Sequence, residues 1–188
     1  MTRGLIPVLP WFLALCWFIF RWITGEYIGY DFERGRNAGV MANLLIILVL
    51  LFITFITRLR SGNHRDEGLM SEVRAGMASG LKYIIATTAF MALYYLAVSP
   101  ELAMRREHDR QINTELVSTP EKLEQIKSAN PHLSKMTADD ILTAANERTD
   151  LMTSPGVVIS TSFLGLLFST LLYAFLGAVI FRQFIRLR

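Results

Sequence analysis

Acidic residues and histidine are missing from the four long apolar runs of this 188-residue chain. That absence excludes most membrane chemistry. Intramembrane proteolysis needs paired aspartates, a Ser/His pair or metal ligands, and proton or ion relays use ionisable groups inside the span. Cysteine is nearly absent too. Cys16 stands alone, so neither an internal disulfide nor a CxxC metal site can form. There is no internal repeat and no low-complexity tract. The net charge is only +3, and Lys and Arg flank the apolar runs instead of clustering on a soluble face, which argues against nucleic-acid binding. No catalytic, cofactor-binding or metal residue is expected, and no cofactor.

What is present is apolar length. Hydrophobic residues make up 52% of the chain, an average that decides little. Their distribution decides more. They fall into blocks at about Leu5–Thr24, Gly39–Thr57, Leu81–Val98 and Gly156–Phe181, each near the roughly 20 residues that cross a bilayer core. The first block could pass for a signal peptide, but Phe20, Arg21 and Trp22 stand where a small-residue cleavage site belongs, which reads as a retained helix. The expected fold is all-α. It is an integral membrane four-helix bundle with a small helical extramembrane module between the third and fourth spans. The expected divisions are 1–98 for three helices with short loops, 99–155 for the module, and 156–188 for the last helix and a basic tail.

Arg58, Arg60, Arg65 and Arg74 follow the second span, Lys82 opens the third, and Arg182, Arg186 and Arg188 end the chain, with Arg3 near its start. Arg-rich flanks stay cytoplasmic, so both termini are expected inside. The loop from Tyr27 to Asn37 and the segment from Ser99 to Pro155 then lie outside, although Arg105, Arg106 and Arg110 weigh against that side.

Within the spans, Pro7 and Pro10 suit a first helical turn. Trp22, Tyr27 and Tyr30 mark an outer aromatic belt, and Arg21 beside them is expected to snorkel to the headgroups. Asn43 is the one strongly polar residue of the second span and suits an interhelical hydrogen bond. His64 with Asp66 and Glu67 fits no standard metal spacing. From Leu69 the pattern turns helical. Gly76 and Gly80 form a GxxxG pair. In the last span Thr161, Gly165, Ser169, Tyr173 and Gly177 recur every four residues, which reads as a seam for close packing within the bundle, ahead of a homodimer interface. The third and fourth spans are therefore expected to be the closest pair.

The outer segment reads as three short helices. The first covers Pro100 to Leu116. Ser118-Thr119-Pro120-Glu121 looks like a capping box that opens a second helix through Lys127, which Asn130-Pro131 breaks. Thr137-Ala138-Asp139-Asp140 looks like a second cap, opening a helix to about Thr149, and Ser154-Pro155-Gly156 punctuates the start of the last span. The segment is too short for a sizeable core and needs the bilayer, the bundle or a partner to lie against. His108 and His132 read as surface residues.

This order of parts, with "EVRAGMASGLKYIIATTAF" and later "MTADDILTAANERTDLMTSPG" before a Gly- and Ser-rich final helix ending in Arg, resembles the bacterial "domain of unknown function 4199" membrane family, found largely in Bacteroidota. The resemblance covers nearly the whole chain and implies an inner-membrane protein with four helices. It implies no reaction or ligand. The leading functional expectation is a non-catalytic accessory or structural subunit of a larger inner-membrane complex, with the lipid bilayer and membrane-protein partners or further copies as its surroundings. The alternative is a small homo-oligomeric transporter or channel. Its polar material would be Asn43, Thr54, Thr87, Thr88, Ser162 and Ser169, with Arg21 and Lys82 near the ends. A membrane enzyme comes last.

Overall fold

The computed structural model describes residues 8–27, 32–61 and 68–186, with side-chain detail for 8–24, 35, 37–60 and 68–183. Every regular element among them is helical: α1 (Leu9–Tyr27), α2 (Phe32–Ser61), α3 (Leu69–Leu93), α4 (Glu101–Leu116), α5 (Pro120–Ala129), α6 (Ala138–Met152) and α7 (Pro155–Arg186). A π-helical turn, Tyr94–Val98, extends α3, and a 3₁₀ turn, Pro131–Leu133, follows α5. The chain forms two compact units, Met1–Val98 with Ile159–Arg188, and Ser99–Val158.

In the first unit three helices are long and apolar enough to cross a membrane: Asn37–Arg60, Leu69–Val98 and Pro155–Gln183. They mark the chain as a membrane protein. At 1.5 Å per residue the shortest is about 36 Å long, beyond the roughly 30 Å hydrocarbon core. The first expected span differs. Its described apolar helix is Leu9–Thr24, about 24 Å, which falls short of that thickness. Helical structure also enters the expected outer loop from both sides, since α1 runs to Tyr27 and α2 starts at Phe32. The side chains of Tyr27 and Tyr30 and the turn holding His64, Asp66 and Glu67 lie outside the described residues, as do Arg3, Pro7 and Arg188.

Sequence periodicity decides which face each helix buries. On α1, Pro10, Ala14, Trp17 and Arg21 are buried, spaced four, three and four apart, while Trp11, Phe12, Leu15, Ile19 and Trp22 face outward. α3 buries Glu72, Val73, Gly76, Gly80, Tyr83, Ile84, Ala86, Thr87 and Met91, and makes its broadest contact with α1, not with α7 as expected. Phe18 of α1 meets Phe90 of α3 with ring centroids 5.5 Å apart. α7 instead approaches α3 through small residues. Much of the remaining apolar surface, including Leu45, Leu48, Phe52, Leu164 and Phe168, is exposed as a lipid-facing helix requires.

The packing row of α7 is displaced from the expected one. Leu166, Thr170, Ala174, Ala178 and Phe181 are the buried residues. Thr161 and Gly165 are exposed, and a side chain at Gly165 would meet nothing within 4 Å. Ser169 is half-buried and its hydroxyl donates to the Gly165 carbonyl, 2.8 Å away. A four-residue repeat advances about 400°, so the expected row drifts about 40° per step and reaches the interior only near Gly177. At Gly177 an added Cβ would lie 2.5 Å from the Phe55 ring.

The second unit holds α4 to α6 and the first turn of α7. Its helix starts follow local sequence. Thr137 caps α6 in a reciprocal box, its hydroxyl accepting from the Asp140 N–H while the Asp140 carboxylate accepts from the Thr137 N–H. The Thr137 hydroxyl, which also donates to the carboxylate at 2.7 Å, and the Thr137 N–H together hold the Asp140 carboxyl below the usual carboxylate range. At α5 the cap is Thr119, not Ser118, because Pro120 takes the first helical position. Ser118 instead donates to the Glu115 carbonyl at 2.7 Å. Only Leu102 and Ile141 are buried hydrophobic residues in this unit.

Candidate functional site

Among the described residues, two buried charged groups lie in the membrane unit. Arg21 is 2% exposed, so it does not snorkel. Its stem and guanidinium lie along α2 where Gly35 and Gly39 leave out a side chain, and a Cβ at Gly35 would come within 2.7 Å of Arg21 Nη1. The guanidinium carbon sits 5.5 Å from the centroid of the Tyr94 ring, a cation–π contact that the π-helical turn begins. Trp17 donates from its indole to the Gly39 carbonyl at 3.2 Å. Burial of a cation is costly unless it is paired and bonded, and the glycine groove and the aromatic face contribute to holding this one.

Near the other end of α3, Glu72 is 1% exposed and accepts from Arg58 Nε of α2 at 3.0 Å. Arg58 also reaches the Ser71 hydroxyl at 3.4 Å. Between these charged ends, Tyr83 donates to Asn43 Oδ1, and Thr87 lies one turn further along the same face of α3. Thr170 of α7 presses its methyl into the space left by Gly80. Gly76 does the same for Ala174, Leu51 and Phe55, whose atoms would lie 3.0, 3.1 and 3.4 Å from an added Cβ. The expected sites Gly76, Gly80 and Gly177 are thus at close approaches, and Thr161, Gly165 and Ser169 are not. Of the other polar candidates, Thr54 donates to the Leu50 carbonyl at 2.8 Å, and Lys82 is exposed.

The second unit carries a different kind of surface. α4 and α6 are joined by a polar ladder. Arg110 meets Asp150 at 2.6 Å, Arg106 Nε donates to the Thr153 hydroxyl at 3.1 Å, and Asn113 donates to Asn146 and Thr149 at 3.2 and 3.1 Å. The Asp150 carboxylate raises the Arg110 pKa further above its ordinary value. Beside the ladder lies a groove of about 360 Å³, lined mainly by Leu116, Val117, Ile126, Leu133, Ile141 and Ala144. His108 and His132 are both exposed. Among the described residues no three of His, Cys, Asp or Glu converge.

No family model, curated protein or solved structure matches this chain. Its function must be read from these surfaces alone. The sequence reading missed Arg21 as a buried group and did not single out Glu72. Two signals were present: Gly35 and Gly39 are spaced to leave a groove, and Arg58 and Glu72 flank a turn that brings α2 and α3 together.

Proposed function

We propose that this protein is a non-catalytic accessory subunit of a larger complex in a bacterial inner membrane, with its C-terminus cytoplasmic and the Ser99–Val158 unit as its partner-binding module. One observation carries the reading. The module spans 60 residues, yet only two of its hydrophobic residues are buried, while its α4–α6 pair is held in register by charged and amide side chains around an apolar groove. A unit of this size has little core to stabilise it, and apolar area left open is area a partner can cover. Arg58 and Arg60 at the end of α2 and Arg182 near the end of α7 support the inside orientation. Arg106 and Arg110, which count against it, share the single Asp150 carboxylate.

Affinity purification from native membranes in mild detergent tests the reading. A stoichiometric membrane partner is expected, and a lone chain recovered from several detergents refutes it. The second reading, a small transporter or channel, draws on the buried polar row of Asn43, Tyr83, Thr87 and Thr170 inside the bundle. Solute flux in proteoliposomes that falls on Asn43→Leu would favour it over the subunit reading.

A further inference from the structure

A second groove, of about 410 Å³, opens on the membrane unit between α2 and α7, a volume in the range of small-ligand pockets. Leu48, Phe52 and Ile56 form one wall, Leu176 and Ile180 the other, and Phe55 with Gly177 the floor. The two helices run in the same direction. Leu51 and Ala174 meet at Gly76, whereas further along both helices Phe55 stacks on Phe181 with centroids 5.4 Å apart. Both chains therefore finish at one end of the groove, and that end is basic. Leu48, Phe52 and Ile56 recur every four residues, and the next position on that face is the exposed Arg60. On α7 the face of Leu176 and Ile180 continues to the exposed Gln183, a hydrogen-bond donor. Arg182 stands next to Gln183 near the same end, while Arg58 is already paired with Glu72.

We propose that this groove is a binding site for one anionic phospholipid, its acyl chain lying between α2 and α7 and its phosphate held by Arg60 and Gln183. The two halves of the site match the two halves of such a lipid. The walls are apolar along the depth of the hydrocarbon, and the donors stand where the chain leaves it. Basic groups between transmembrane helices at a cytoplasmic surface suit anionic headgroups. Charge complementarity also speaks against a second copy in the groove. A two-fold partner packed here brings its own Arg60 to the same end, like charge against like.

The test uses the full chain purified in mild detergent and mixed with palmitoyl-oleoyl phosphatidylglycerol or with phosphatidylcholine of the same chains. Native mass spectrometry reads the lipids retained. One phosphatidylglycerol per chain is expected to survive activation that strips phosphatidylcholine. Arg60→Gln should lower that retention about fivefold, the worth of one basic side chain near an anionic lipid surface, and Arg60→Lys should preserve most of it. Leu176→Trp and Leu48→Trp fill the groove from opposite walls at exposed positions that leave the core untouched, and each should abolish retention. Equal retention of the two lipids overturns the proposal, as does an Arg60→Gln variant that binds like the parent. A dimer that dissociates with Leu176→Trp also overturns it, because a second copy then fills the groove.

Discussion

One methyl group added at Gly80 probes how α3 meets α7. In Gly80→Ala the new Cβ lies 2.2 Å from Thr170 Cγ2 and 3.4 Å from Thr170 Cβ and Oγ1. Carbon atoms rest at about 3.5–4.0 Å, so the first contact is more than an ångström too close. Thr170 is fully buried and its branched Cβ restricts its rotation, so its side chain or α7 must shift. Overpacking of this kind costs about 1–3 kcal/mol. Alanine returns about 1 kcal/mol through helix propensity, leaving a net loss of up to about 2 kcal/mol. Reversible unfolding in mixed micelles measures it. Removing the obstacle completes the experiment: against a Thr170→Ala background, Gly80→Ala should cost nothing or stabilise, a coupling of about 1–3 kcal/mol for residues in contact. Gly165→Ala is the control. Its Cβ meets nothing within 4 Å, so the change should be neutral or slightly stabilising. Equal losses at Gly80 and Gly165, or no rescue by Thr170→Ala, would refute the assigned seam.

The same unfolding assay checks the buried ion pair. Arg58→Leu should cost about 3–5 kcal/mol by stranding the Glu72 carboxylate, and the double variant Arg58→Leu with Glu72→Leu should recover much of it. Gly39→Leu should displace Arg21, since a Cβ there already lies 3.1 Å from Arg21 Cδ, and quenching of Trp17 fluorescence should change with it. In the module, Asp140 has a lowered folded-state pKa, so its contribution to stability is complete above the ordinary carboxylate value of about 3.9 and is lost as pH falls through the lower folded value. Helicity of α6 followed by hydrogen exchange should show that acid loss in the parent, and Asp140→Asn should flatten it.

What could be read from the sequence was local. The starts of α5 and α6 depend on Thr119 with Pro120 and on Thr137 with Asp140, residues within a turn of each other, and both ends form nearly where expected. α3 begins at Leu69 as its periodicity predicts. The three long spans follow from apolar length. What could not be read depends on which face meets which neighbour. A row of small residues at four-residue spacing marks α7 as suited to close packing, but a shift of one residue turns the face by about 100°. The choice of Ala174 and Ala178 over Gly165 and Ser169 is made by Gly76, Gly80 and Phe55 on other helices. Arg21 shows the same limit. Its position near a run's end suits snorkelling, whereas in the fold it lies in the glycine groove of α2 beside the Tyr94 ring. α1 itself was taken as a full span, yet its described apolar length is short and its broad face is spent on α3.

The proposed role rests on the Ser99–Val158 unit recruiting a membrane partner. Quantitative affinity purification from native membranes, with the parent chain and with a Leu116→Glu, Ile126→Glu variant, addresses it, both residues lining the module's apolar groove. A stoichiometric partner is expected with the parent, and its loss with the variant while the variant stays folded in the membrane. A parent recovered alone or only with copies of itself, or a partner retained unchanged by the variant, would contradict it.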